Sequence, residues 1–219
     1  MYIKKPSVAL AYEYLVKEIL KNGNVIITED GQRCKEILNV LVEITNPKLK
    51  TISSKYPFGK KAIESYTKQL LYGSESEGEF VYNYYERIRE YPSYDKKLKN
   101  DQIDYVIKKL NSNPTSRRCV ISLWNPFIDQ KVKDVPCLNH ITFTKRKNNL
   151  YMTVVFRSND ILLAFHSNAL GLIKLGELVA EKTNSELKRY AHFIVNAHIY
   201  IDRDKTEIEK YFPECLKYI

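Results

Sequence analysis

Residues 151–182 read YMTVVFRSNDILLAFHSNALGLIKLGELVAEK. Tyr151 to Phe156 is an uncharged run rich in β-branched and aromatic residues, as expected of a strand inside a protein. The polar cluster Arg157-Ser158-Asn159-Asp160 closes it. Ile161 to Lys182 then carries Leu162, Leu163, Phe165, Leu170, Leu172, Ile173, Leu175, Leu178 and Val179. That stretch is too apolar around its circumference for a surface helix and too interrupted by polar residues for a membrane span. It predicts a central core helix.

The surrounding second half is equally apolar. Cys119 to Leu123, Ile141 to Thr144 and Phe193 to Ile199 are predicted strands, and Lys145-Arg-Lys-Asn-Asn149 a hairpin turn. Such strands are expected to be buried on both faces or to pack against another subunit. The first half alternates helix and strand. Val8, Leu10, Tyr12, Leu15, Val16, Ile19 and Leu20 form a helical stripe ended by Asn22-Gly23-Asn24. Val25 to Ile27 is a short strand, Thr28 to Arg33 a polar turn, and Leu38 to Ile44 a strand by alternation. Lys60 to Leu71 and Asp101 to Leu110 are predicted helices, with Ser74 to Gly78 a flexible acidic loop between them. No internal repeat and no linker divides the chain, so the expected architecture is α+β in a single domain spanning residues 1–219.

Composition narrows the class. The chain has 219 residues, 44% hydrophobic and 28% charged, with 7 Gly and 8 Pro, which excludes disordered and collagen-like readings. No apolar run reaches the roughly 18 residues of a membrane span, and the basic start lacks the apolar core of a signal peptide, so a cytoplasmic protein is expected. The net charge of +9 favours an anionic partner. Cys34, Cys119, Cys137 and Cys215 are too scattered for a disulfide framework or a zinc knuckle.

Three segments place reactive polar groups within apolar surroundings. Arg117 and Arg118 precede a strand; a solvated loop is the plain reading, and a phosphate site the chemical one, since guanidinium forks match phosphate. Cys137 follows Pro136 at a strand entrance, where it is either a small core residue or a nucleophile activated by a nearby cation. Arg157 and Asp160 are costly to bury unless they pair with each other or with a ligand. His192, Asn196, His198 and Tyr200 have even spacing and share one strand face. With no further ligand at metal spacing, this is expected to be a polar face that contacts a ligand such as a nucleoside sugar.

The order of these pieces is distinctive. Ser116-Arg117-Arg118, Leu123-Trp124-Asn125-Pro126, Pro136-Cys137, Arg157-Ser158-x-Asp160, Asn168 and His198-Ile199-Tyr200 together resemble the thymidylate synthase family, which includes the pyrimidine nucleotide hydroxymethylases. The resemblance implies a large mixed β-sheet packed against a long buried helix, in a homodimer formed through the sheet with shared active sites. It implies that Cys137 adds to ring carbon 6 of dUMP, that Arg157 and Ser158 hold the phosphate, and that Arg157 also favours the thiolate. Arg117 and Arg118 match residues that reach the partner's phosphate site, and Arg33 the mobile phosphate-binding arginine. Asp160 matches the carboxylate contacting the pterin of the one-carbon donor, and Asn168 the amide that reads the pyrimidine edge. His198 and Tyr200 match the groups on the deoxyribose hydroxyl, and Tyr82-Asn83 through Arg87 resembles the family's Tyr-Gly-x-x-x-Arg segment. A methylene-tetrahydrofolate or a modified methylene-tetrahydropterin is then consumed as carbon source and reductant, with no metal, and dTMP is the product.

The departures fall mostly on the donor side. Leu138 replaces the usual histidine after the nucleophile, Ala164 a glycine, and His166-Ser167 a Pro-Phe pair. The Leu-Trp run that follows the family's catalytic glutamate is absent, and Glu64 is the nearest candidate. The short segment after Tyr200 resembles compact archaeal-type members. Two alternatives stay open: a nucleotide hydroxymethylase, and a nucleotide or nucleic-acid binding protein without turnover. The basic residues are spread along the chain without an aromatic-and-basic motif, which argues against nucleic acid.

Overall fold

The stretch 151–182 folds as the strand and helix that its pattern predicts. The computed structural model describes residues 1–73, 83–92 and 97–219. In chain order the elements are β1 (Tyr2–Lys5), α1 (Val8–Asn22), β2 (Asn24–Ile27), β3 (Arg33–Ile44), α2 (Gly59–Tyr72), α3 (Tyr84–Arg89), β4 (Tyr91–Pro92) and β5 (Lys99–Asn100). They continue as α4 (Gln102–Ser112), β6 (Val120–Ser122), α5 (Pro126–Asp129), β7 (Leu138–Arg146), β8 (Asn149–Asp160), α6 (Phe165–Lys182), β9 (Glu186–Tyr200) and α7 (Lys205–Tyr211), followed by a 3-10 segment, Pro213–Tyr218. The expected acidic loop, Ser74 to Gly78, lies outside the described residues.

Seven strands form one mixed sheet in the order β1-β3-β9-β8-β7-β6, with β2 also pairing β3. The pairs β1–β3 and β8–β9 are parallel, and the rest are antiparallel. The parallel pair β8–β9 requires a crossover, and α6 supplies it. This helix is buried along nearly its whole length, from Phe165 to Ala180. It packs on β8 and β9 and is covered by α1, α2 and α4. Two glycines permit that close approach on different sides. A Cβ on Gly171 would lie 2.8 Å from the Tyr66 ring of α2, and one on Gly176 would lie 2.9 Å from Leu187 and Met152 of the sheet.

Local chemistry sets the boundaries. Ser7 caps α1, and Asp101 caps α4 by accepting from the amides of Ile103 and Asp104. Gly73 ends α2 at φ +82°. The core helix starts at Phe165 rather than Ile161, because Asp160 Oδ1 accepts from Leu163 N at 2.9 Å and holds residues 161–164 as a turn. The hairpin β7–β8 turns at Lys147, φ +53°, as expected from the break in apolar sequence.

Of the two arrangements expected for these strands, burial on both faces within one chain is not the one observed. Leu150, Met152, Val154 and Phe156 of β8 are buried, but the opposite face is open: Thr153 is exposed, and Val120 of β6 and Val195 of β9 are 44% and 41% exposed. Within one chain the helices cover a single side. No helix among the described residues is long and apolar enough to cross a membrane.

Candidate active site

The turn Val135-Pro136-Cys137 enters β7 and is held from β8. The Arg157 amide donates to Cys137 O at 2.9 Å. Its guanidinium donates from Nε to Pro136 O at 3.1 Å and from Nη2 to Val135 O at 2.8 Å. The Leu138 amide donates to the Tyr84 hydroxyl at 3.2 Å, and Asn139 Nδ2 to Pro136 O at 3.3 Å. A register shift between Leu138 and His140 re-aims the strand just after the cysteine. Cys34, Cys119 and Cys215 are buried, whereas Cys137 is partly exposed. Burial pushes the thiols of the other three upward, which leaves them inert. The arrangement therefore presents one accessible thiol on a backbone fixed by a cation.

Beside this turn, parallel pairing aligns the polar ends of β8 and β9. Ser158 pairs with Asn196 and Asp160 with His198, while β3 sets Glu36 against His198 and Cys34 against Tyr200. Ser158 Oγ lies 3.2 Å from His198 Nδ1. Asn196 donates to Glu36, and the rings of His198 and Tyr200 meet edge to face at 5.0 Å. Burial lowers the His198 pKa, and the nearby Asp160 carboxylate opposes this. Asn168 stands in the first turn of α6, 7% exposed, and its side-chain amide bonds to no described residue. An aligned row of hydroxyl, imidazole, amide and phenol groups can hold a polar molecule beside the thiol.

The family model described as thymidylate synthase matches residues 60–211. A protein of Methanocaldococcus jannaschii named "Putative thymidylate synthase" is 54% identical over 99% of this chain and 98% of its own length. Similarly named proteins of Methanosarcina barkeri and Methanococcoides burtonii are each 36% identical, covering 87% and 95% of the chain and 85% and 93% of their own lengths. The chain belongs to the thymidylate synthase family. It is accordingly an enzyme of the methyltransferase type, and the family implies dUMP as substrate and a folate-type one-carbon donor.

The thymidylate synthase fold accounts for the remaining residues unevenly. Arg33 opens β3 next to the end of β9, where its carbonyl accepts from Ile201 N at 3.2 Å and its guanidinium lies 3.3 Å from Asp202. Arg117 and Arg118 are exposed, and they sit at the far end of β7: the next residue, Cys119, bonds Phe143. At strand rise, that is roughly 17 Å along β7 from Leu138. Glu64 lies on an exposed face of α2, paired with Lys60 at 3.5 Å, and no bond links it to the cysteine turn. Tyr82 lies outside the described residues, while Asn83 caps α3 by accepting from Tyr85 N.

Arg87 is a brace. Its guanidinium pairs with Asp129 at 2.6 Å and donates to Leu123 O at 3.3 Å. Asp129 also accepts from Asn125 N at 2.7 Å, so the Trp124-Asn125-Pro126 segment is bound into α5 and α3. His192 requires a correction. It shares the face of His198 but is fully buried, stacked on Phe156 at 4.4 Å and near Phe165 at 5.0 Å, with Nδ1 on the Tyr190 hydroxyl at 2.8 Å. It contacts core, not ligand. Asn168 lies inside α6, whose cap position is Ala164.

Two contributors escaped sequence reasoning. Tyr84 reaches the peptide after Cys137 from a helix distant in sequence; the resemblance covers its segment, Tyr82-Asn83 through Arg87, but gives Tyr84 no role. Arg203 pairs with Asp160 and stacks on Tyr200, and its nearness to the His198-Ile-Tyr200 motif was the available signal. No group of three or more His, Cys, Asp or Glu among the described residues could hold a metal ion.

Proposed function

We propose that this enzyme transfers a one-carbon unit from a methylene-tetrahydropterin to carbon 5 of dUMP, giving dTMP through a covalent adduct on Cys137. The single observation that carries the reading is the accessible Cys137, fixed by three contacts from Arg157 and flanked by the aligned polar ends of β8 and β9.

Carbon 5 of uracil becomes nucleophilic once a thiolate has added at carbon 6, and a thiolate is also a competent leaving group. Arg157 holds the cysteine turn through two of its donor groups and keeps others for phosphate. Ser158 joins Arg157 at the phosphate. His198 and Tyr200 hold the deoxyribose hydroxyl, with His198 oriented by Ser158. Asn168 reads the uracil edge, and a buried side-chain amide that bonds to no described residue supports that role. Asp160 faces the donor, and each of its oxygens, though already accepting one bond, has a lone pair to offer. The donor supplies the carbon and the reducing equivalents that turn it into a methyl group.

The enzyme is a homodimer through the open sheet face carrying Val120 and Val195, and Arg117 and Arg118 serve the partner's phosphate site. Their distance from the Cys137 turn of their own chain supports this. The whole chain, residues 1–219, acts as one catalytic domain.

The test is product analysis by mass spectrometry with dUMP or dCMP and methylene-tetrahydrofolate or another methylene-tetrahydropterin. dTMP is the expected product, and a hydroxymethylated nucleotide would establish the hydroxymethylase instead. Cys137→Ser is expected to abolish turnover while keeping nucleotide affinity. A Cys137→Ser protein with most of its turnover refutes the mechanism.

A further inference from the structure

Arg203 lies where the two substrates proposed above would meet, and none of the roles given so far uses it. Its guanidinium carbon sits 4.1 Å over the Tyr200 ring. Nε and Nη2 form a two-point contact with Asp204, at 2.5 and 2.7 Å, and Asp204 is 3% exposed in its side chain. Nη2 also donates to Asp160 Oδ2 at 2.5 Å. The other Asp160 oxygen accepts from Leu163 N. A planar fork anchored on a buried carboxylate and stacked on an aromatic ring has little freedom to swing, unlike a lysine on a flexible stem. The Asp160 carboxylate is thus pinned at both oxygens, with one fixed orientation toward the site.

We propose that Arg203 is a positioning residue for the one-carbon donor: it orients the Asp160 carboxylate so that its remaining lone pairs meet the N–H groups of the pterin. This rests on the reading of Asp160 as the donor contact. Because Arg203 reaches the nucleotide side only through the face of Tyr200, its removal should affect donor far more than nucleotide. A charge-assisted hydrogen bond lost from the positioning of a binding carboxylate corresponds to about a tenfold loss or more.

The test uses the full chain and four variants: Arg203→Gln; Arg203→Gln/Asp204→Asn, which avoids leaving the buried Asp204 charge unpaired; Asp160→Asn; and Asp160→Asn with Arg203→Gln added. Calorimetry would give the dUMP Kd, and the Kd of methylene-tetrahydrofolate for the dUMP complex in a Cys137→Ser background. Steady-state kinetics would give kcat and the donor KM in the Cys137 protein. Both Arg203 variants are expected to raise donor Kd and KM about tenfold while the dUMP Kd stays within about twofold. Asp160→Asn should do the same, and adding Arg203→Gln to it should cost little more. If Asp160→Asn weakens the donor and both Arg203 variants do not, the positioning role is wrong. If dUMP and donor weaken together in both, Arg203 is only a structural brace. If Asp160→Asn leaves donor binding intact, or the Cys137→Ser complex binds none, the reading of Asp160 fails first and takes this role with it.

Discussion

Sealing His192 into the core should make the enzyme acid-labile by a calculable amount. Burial lowers the His192 pKa to about 3, and burial is also the largest cause holding His166 at about 4, against an ordinary value of 6.5. A group whose folded pKa is depressed binds fewer protons in the native than in the unfolded state, so stability rises with pH between the two values. For these histidines the stability is fully present above about pH 7 and falls as pH drops through 6.5, levelling off only near the folded pKa. At 1.36 kcal/mol per unit, each loses about 2 kcal/mol between pH 7 and 5, or about 4 kcal/mol together. Urea unfolding at pH 7, 6 and 5 measures the slope. The informative variant is Tyr190→Phe/His192→Phe, which removes both partners of the 2.8 Å hydrogen bond and puts a third ring between Phe156 and Phe165. Replacing both partners with apolar groups of similar shape is nearly neutral at pH 7. The double variant should lose about 2 kcal/mol less than the unmodified protein between pH 7 and 5. An unchanged slope would mean that His192 titrates normally in the native state, and the assignment of this residue to the core would be wrong.

Three shorter predictions concern the site and its frame. Wild type should prefer dUMP over dCMP by at least about tenfold in kcat/KM, since buried hydrogen-bonding groups mispaired with cytosine cost roughly 1–3 kcal/mol each; Asn168→Asp should erase or reverse the preference, and equal use of both nucleotides by wild type refutes the base-reading role. Mixing Arg118→Ala chains with Cys137→Ser chains should restore activity through hybrid dimers with one intact site, and a monomer by sedimentation, or no rescue, excludes shared sites. Arg87→Met leaves the fully buried Asp129 carboxylate without its cation and should cost about 3–5 kcal/mol in urea unfolding; a loss below about 1 kcal/mol would show that this pair is not sealed from water.

The readability of this chain depended on the distance over which each physical cause acts. The apolar runs that make β7, β8 and α6 are local causes, and their elements form over those runs, α6 starting at Phe165 rather than Ile161. β1 escaped because Lys4 and Lys5 make an edge strand look like a polar terminus, with only Ile3 buried. The site divides in the same way. Cys137 and Arg157 stood out because polar groups at the ends of apolar strands are chemically conspicuous, and β7–β8 pairing joins them. Parity alone put His192 with His198, yet the sheet runs from the sealed core to the rim over that span, so one face carries two environments. Arg203 and Asp160 are 43 residues apart, and Arg87 and Asp129 are 42 apart. Sequence gives no reason to pair those charges until the chain closes, because an arginine's partner is set by the fold and not by its neighbours. The family resemblance crossed part of that gap by carrying roles in order along the chain. It was weakest on the donor side, where Leu138, Ala164 and His166-Ser167 depart from the pattern. That is also where the structure adds most: a carboxylate pinned at both oxygens, one of them by an arginine that no motif had singled out.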